Sequence, residues 1–136
     1  MILARVSPLA KRVAVPAVGS IRTLVNKATI VGRVGQDAEL IQATPERSVV
    51  QFSVATSESR KDAEGNLIRT THWHRVVSWD QKRNTYLSER VKKGDLVFVE
   101  GPIHYRTYTA KDGTEKNLTE IALKTFQALS AKEHQE

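Results

Sequence analysis

The chain has 136 residues, 40% of them hydrophobic and 26% charged, which fits one globular domain with a short extension. It has no cysteine, so disulfides, thiolate metal sites and a cysteine nucleophile are excluded, and no apolar run reaches the roughly 20 residues of a membrane-spanning helix. With 21 Lys and Arg against 15 Asp and Glu, the formal charge is +6, a balance suited to polyanionic partners.

That charge is unevenly placed. Arg5, Lys11, Arg12, Arg22, Lys27 and Arg33 all precede the first acid, Asp37, and from Asp37 onward 15 basic residues meet 15 acidic ones. Met1 to about Arg22 is Ala, Val, Leu, Arg, Ser and Pro without an acid, the composition of a mitochondrial transit peptide. Lys11, Arg12 and Pro16 interrupt any secretory h-region, and a basic arm that touches nucleic acid directly is the plainer alternative. The expected organisation is a transit peptide over 1–25, cleaved between Val18 and Lys27, one domain over 26–129, and a polar tail over 130–136. The address implied is the mitochondrial matrix, at the nucleoid, and no membrane association is expected.

Five strands and one helix are predicted in the domain. The first runs Lys27–Val34 and continues toward Ile41, with Gly32 and Gly35 marking a bend or bulge. The second, Arg47–Ser57, alternates: Val50, Phe52, Val54 and Thr56 on one face, Val49, Gln51, Ser53 and Ala55 on the other. A polar loop over Ser59–Leu67 holds a turn signal at Glu64-Gly65-Asn66 and carries Arg60 and Lys61. The third strand is Ile68–Trp79. A helix follows over Asp80–Lys93, N-capped by Asp80, with Leu87 and Val91 at i, i+4 and Gly94 as its left-handed stop. The fourth strand, Leu96–Tyr108, turns at Lys111-Asp112-Gly113 into a fifth, Glu115–Leu129. The order β-β-β-α-β-β is that of an OB-fold barrel, an all-β class with one short helix.

The third strand carries the strongest functional signal. With period two, Trp73, Arg75, Val77 and Trp79 share a face, and His72, His74, Val76 and Ser78 the other. Two indoles around an arginine make a poor barrel interior, since Arg is rarely buried unpaired. Exposed, they suit a single-stranded nucleic acid: bases stack on rings while cations neutralise phosphate. Two core tryptophans with a snorkelling Arg75 would be the structural alternative. Tyr105, Arg106 and Tyr108 follow on the fourth strand, with Lys111 at its hairpin tip, and Arg33 lies on the first strand. His72-x-His74 could ligate a metal but lacks a third ligand at useful spacing, so no metal and no other cofactor is expected. The acids are too scattered for a paired-carboxylate nuclease, and no Gly-rich phosphate loop is present, so no enzyme activity is expected.

Five blocks then fall into a familiar order: Asn26-Lys27 with Ile30-Val31-Gly32-Arg33-Val34-Gly35-Gln36-Asp37; Phe52-Ser53-Val54-Ala55-Thr56-Ser57-Glu58-Ser59; Trp73-His74-Arg75-Val76-Val77; Val91-Lys92-Lys93-Gly94; and Val99-Glu100-Gly101. Together they resemble the bacterial-type single-stranded DNA-binding proteins over Asn26 to Leu129. The resemblance implies an OB-fold homotetramer that wraps single-stranded DNA. It makes Trp73, Trp79 and Tyr108 stacking positions, Arg75 and Arg106 basic contacts, and His74 a residue of the subunit interface. Arg60 stands where many members place a stacking Trp, which suggests cation stacking and phosphate contact there. The full expected binding set is Trp73, Trp79, Tyr108, Arg75, Arg106, Arg60, Lys61, Arg33 and Lys111. A long Gly/Pro/Gln-rich acidic tail of bacterial members has no counterpart here, which with the transit-like start looks like the mitochondrial branch. Expected partners are single-stranded DNA, further copies of the chain, and a mitochondrial replicative polymerase and helicase. The alternative function is a mitochondrial OB-type RNA-binding or ribosome-associated module, favouring structured RNA and 2′-OH contacts.

Overall fold

The computed structural model describes residues 23–130. The expected transit segment up to Arg22 and the tail beyond Ser130 lie outside the described residues. Eight strands and one helix appear: β1 (Ala28–Val34), β2 (Glu39–Thr44), β3 (Arg47–Lys61), β4 (Leu67–Ser78), α1 (Gln81–Arg90), β5 (Leu96–Gly101), β6 (Ile103–Thr109), β7 (Glu115–Ala122) and β8 (Thr125–Ser130). The expected class, all-β with one helix, is what the structure has. Three of the five expected strands are each divided in two.

The divisions have physical causes. The first expected strand stops at Val34, and β2 folds back on β3 around Pro45 and Glu46, pairing Leu40 with Val50. Gly32 and Gly35 do not make a bulge. Gly32 sits in register in β1 where β3 passes so close that an added Cβ would lie 2.3 Å from the Ala55 carbonyl oxygen. Pro102, with no N–H to give a ladder, separates β5 from β6. Before it, β5 pairs with β1 and β8; after it, β6 pairs with β7 alone. β7 and β8 part at Leu123 and Lys124, which change partners: Leu123 N–H donates to the Val77 carbonyl (2.8 Å) and Lys124 N–H to that of Glu100 (2.9 Å).

The hydrogen-bonded order is β6-β7-β4-β3-β1-β5-β8, with β2 on β3. β7 runs parallel to β4, and β8 antiparallel to β5. One continuous piece of chain, β7 through β8, thus joins the two ends of the β4-β3-β1-β5 sheet. Inside lie Val34, Val50, Phe52, Val54, Val76, Val97, Val99 and Ile121, with Leu87 from α1, Val91 from the end of that helix and Leu123 at the crossing. Of the two faces that alternate along β3, that of Val50, Phe52 and Val54 is the inward one, each at most 2% exposed.

The helix begins as expected. The Asp80 carboxylate accepts from Lys82 N–H at 3.0 Å. It ends earlier, at Arg90, with Val91 extended. Gly94 has a positive φ of 92° but serves the turn that enters β5, where its N–H donates to the Val34 carbonyl. At the start of the domain, Asn26 clamps β6 with both halves of its amide. Nδ2 donates to the Ile103 carbonyl and Oδ1 accepts from Ile103 N–H, each at 2.9 Å. No helix among the described residues is long and apolar enough to cross a membrane.

Candidate functional site

β4 crosses the sheet next to β3 in an unbroken register from Val50↔Ser78 to Lys61↔Leu67. Strand alternation sends Trp73 and Arg75 to the outer face, opposite Ala55 and Ser53. Trp73 keeps 62% of its surface exposed. Its ring leans across β3 onto Gly35, where a Cβ would lie 2.2 Å from the indole. The chain bends at Gly35 and Gln36, as expected of the glycine, and Gly35 also makes a seat for an aromatic platform.

Arg75 is held from both sides. Its Nη2 donates to Gln51 Oε1 on β3, and its Nε faces Glu120 Oε2 on β7 at 3.4 Å. The other oxygen of Glu120 lies 3.3 Å from Arg106 Nε on β6. Glu120 is almost wholly buried, whereas the Arg75 and Arg106 side chains keep 36% and 53% of their surface. A single carboxylate therefore gathers the two expected arginines from different strands. A groove of about 300 Å³ beside them is lined by Trp73, Arg75, Ile103, Thr119, Glu120 and Ile121.

The outer stripe is not continuous. Val77, expected on the exposed face, is buried, because the chain returning through Leu123 bonds to that end of β4. Trp79 lies just past the strand, still 45% exposed, with the Arg47 guanidinium 5.6 Å from its ring centroid. Beyond Trp79 a hollow of about 410 Å³ is lined by Arg83, His104 and Lys124 as well as Asp80.

The remaining expected residues occupy the two hairpins, except Arg33, which pairs with Ala55 opposite Trp73. Arg60 and Lys61 are not in a loop: β3 and β4 run on, and the two pair with Ile68 and Leu67 at the end of a long hairpin. Tyr108, 43% exposed, pairs with Lys116 on the β6–β7 hairpin, and Lys111 stands in that hairpin's turn. Both hairpin tips use one device. Asp62 accepts from the backbone of Asn66 and Glu64, and Asp112 from Thr114, ahead of Gly65 and Gly113 at φ of 84° and 85°. The Asn66 backbone hydrogen bond chiefly holds the Asp62 carboxyl below its ordinary value, and the Thr114 hydroxyl does the same for Asp112. Arg33 is exposed on β1 and donates to the Gly94 carbonyl at 3.0 Å.

His74 faces the other way from Trp73, half-buried, with Nε2 at 2.8 Å from the Thr56 hydroxyl. Burial, then the charge of His72, lowers its pKa. His72 itself lies 3.5 Å from Glu58. Among the described residues no three His, Cys, Asp or Glu side chains gather to hold a metal ion.

Sequence reasoning missed Gly35, Gln51, Arg47 and Glu120. Gln51 had a face assigned but no partner. Glu120 becomes visible only once β7 is known to lie parallel to β4 and β6 to return beside it.

Residues 25–129 match the model of the single-strand binding protein family. A single-stranded DNA-binding protein of Chlorobaculum tepidum is 40% identical over 110 residues, which is 80% of this chain and 67% of that protein. The mitochondrial single-stranded DNA-binding protein of Drosophila melanogaster is 38% identical over 105 residues, 77% of this chain and 71% of that one. The match spans about two thirds or less of the bacterial relatives' own length. Among solved structures, a Plasmodium falciparum SSB in complex with single-stranded DNA superposes with a TM-score of 0.71 at 30% identity, covering 80% of this chain and 98% of that one.

Proposed function

The chain belongs to the single-strand binding protein family, and from that premise we propose that it binds single-stranded DNA by base stacking and phosphate neutralisation in mitochondrial DNA replication and maintenance. The observation that carries this is Trp73: an exposed indole seated on Gly35, with Arg75 held beside it by Gln51 and Glu120. A ring that is already immobilised gives a base a flat partner, at about 1–3 kcal/mol per stacked base. Arg106 and Tyr108 extend the surface along β6, Trp79 continues it past β4, Arg33 stands two strands from Trp73 in the same register row through Ala55, and Arg60, Lys61 and Lys111 offer charge from the hairpin ends. The reading requires no bond-making chemistry. It implies tolerance of sequence, since every base has a π-face, and a steep dependence on salt.

The mitochondrial setting draws on the Drosophila relative and on the acid-free, Arg-containing N-terminus. A replicative polymerase and a helicase are the partners such a setting supplies. The working form is a homotetramer in which His74 sits at a subunit face, a reading that rests on the family resemblance.

The test is quenching of tryptophan fluorescence by oligo-dT across a salt series, followed by competition. Quenching that weakens steeply with salt and resists displacement by folded RNA is expected. Displacement of oligo-dT by an equal concentration of duplex or folded RNA would sink the assignment in favour of an RNA-binding module.

A further inference from the structure

We propose that Glu120 is a positioning residue that sets how much positive charge the aromatic face presents to a bound strand. The inference rests on the single-stranded DNA reading above and goes beyond it, because an acid has no obvious place in a polyanion site.

A carboxylate taken out of water is strongly disfavoured unless it is paired. Glu120 is 6% exposed and faces two guanidinium groups, Arg75 Nε through one oxygen and Arg106 Nε through the other. These three side chains come from three strands, β4, β6 and β7, so the carboxylate fixes both arginines relative to the barrel. The two arginines are not left equal. Arg75 is also bound to Gln51 and is the less exposed; Arg106 is held at Nε alone among the described residues, and its side chain is 53% exposed. Arg106 is therefore the one whose outer guanidinium nitrogens are available to phosphate, while Arg75 acts as a fixed neighbour of Trp73. The trio carries a net charge of +1 rather than +2. One phosphate's worth of counterion release is withheld at the centre of the site, so a strand is held there more by stacking and less by charge. Binding at this point is then easier to reverse at physiological salt.

The experiment is the oligo-dT quenching titration at several salt concentrations on wild type, Glu120→Gln, Arg106→Gln and the double variant. Gln keeps the shape and one acceptor oxygen but removes the charge. For single strands the slope of log affinity against log salt changes by about 0.7 per phosphate neutralised. Glu120→Gln is expected to steepen the slope by about 0.7 and to tighten binding on the order of fivefold at low salt. Arg106→Gln, at a half-exposed position, should make it shallower by a similar amount. The double variant, which restores the net charge of the trio, should return to the wild-type slope. A strut that merely packs the hairpin would weaken binding when changed and leave the slope where it was. Quenching with an unmoved slope in Glu120→Gln overturns this proposal alone. Should that variant not fold, an unmoved slope in Arg106→Gln overturns it equally. No quenching of the wild type at any salt overturns the DNA reading, and this proposal with it.

Discussion

An indole that leaves most of its surface in water is held still only by what lies under it, and under Trp73 lies a residue without a side chain. Gly35→Ala puts a methyl into the far end of that ring. A ring edge can swing away, so the fold should survive while the platform is displaced. The expected result is a melting temperature close to wild type and a loss of oligo-dT affinity approaching that of Trp73→Ala, about 1–3 kcal/mol by fluorescence titration. Gly101→Ala is the contrast: its Cβ would lie 1.9 Å from the Ala122 carbonyl oxygen, which is backbone and cannot swing. That substitution should lower stability by about 1–3 kcal/mol or more in urea melts, through overpacking. That Trp73 and Arg75 share a face was legible from alternation alone, because strand parity is a local property; that the face is exposed was argued from the rarity of unpaired buried Arg. Glu120 was not legible, since a lone acid in Thr119-Glu120-Ile121 gains meaning only from two strands elsewhere in the chain.

Three of the expected strands run past the point where their pairing changes. Glu115 to Leu129 reads as one strand because nothing in its composition interrupts it, but the chain bends at Lys124 between β7 and β8. Its halves differ only in their neighbours, β4 and β6 for the first, β5 for the second. Partner exchange leaves no mark in hydrophobic periodicity, so sequence reasoning could give the order of elements and not this break. Pro102 did leave a mark, as a residue without a ladder donor inside an expected strand. The helix shows the reverse case. Its start was legible because a cap is local chemistry, and its end was not, because Lys92 to Asp95 form a separate turn bonded back to Val34. Asp80→Ala removes the acceptor for Lys82 N–H and should destabilise the domain by about 1 kcal/mol, read as a lower urea midpoint with unchanged m-value.

At the scale of the whole molecule, net charge says little about the binding face. Without residues 1–22, 17 Lys and Arg remain against 15 Asp and Glu, so the proposed affinity depends on where charge is placed. The same holds for assembly and pH. Burial and the neighbouring His72 depress the His74 pKa, so the folded state favours the neutral ring. The unfolded chain then binds more protons between the lowered pKa and the ordinary value near 6.5. Stability from this group is complete above about pH 6.5 and is lost as pH falls through the folded value. If His74 lies at a subunit face, sedimentation should show the tetramer loosening on that acid side, and His74→Gln should flatten the dependence. An assembly indifferent to pH between 7.5 and about 5 would remove His74 from the interface.

If the proposed transit segment is removed, the Asn26 clamp on Ile103 sets a limit on where the cut can fall. A peptidase that trims the front of this chain can cut anywhere before Asn26 and leave the clamp whole. A cut after Asn26 frees the first end of β6, whose neighbour Tyr105 precedes Arg106 on the hairpin that carries Tyr108. Two hydrogen bonds at about 0.5–1.5 kcal/mol each are at stake. Chains starting at Val25 and at Lys27 should therefore differ in how fast the Ile103 amide exchanges with deuterium, although they differ by only two residues. The proposed cleavage window, Val18 to Lys27, would then close one residue short of where composition alone would let it end.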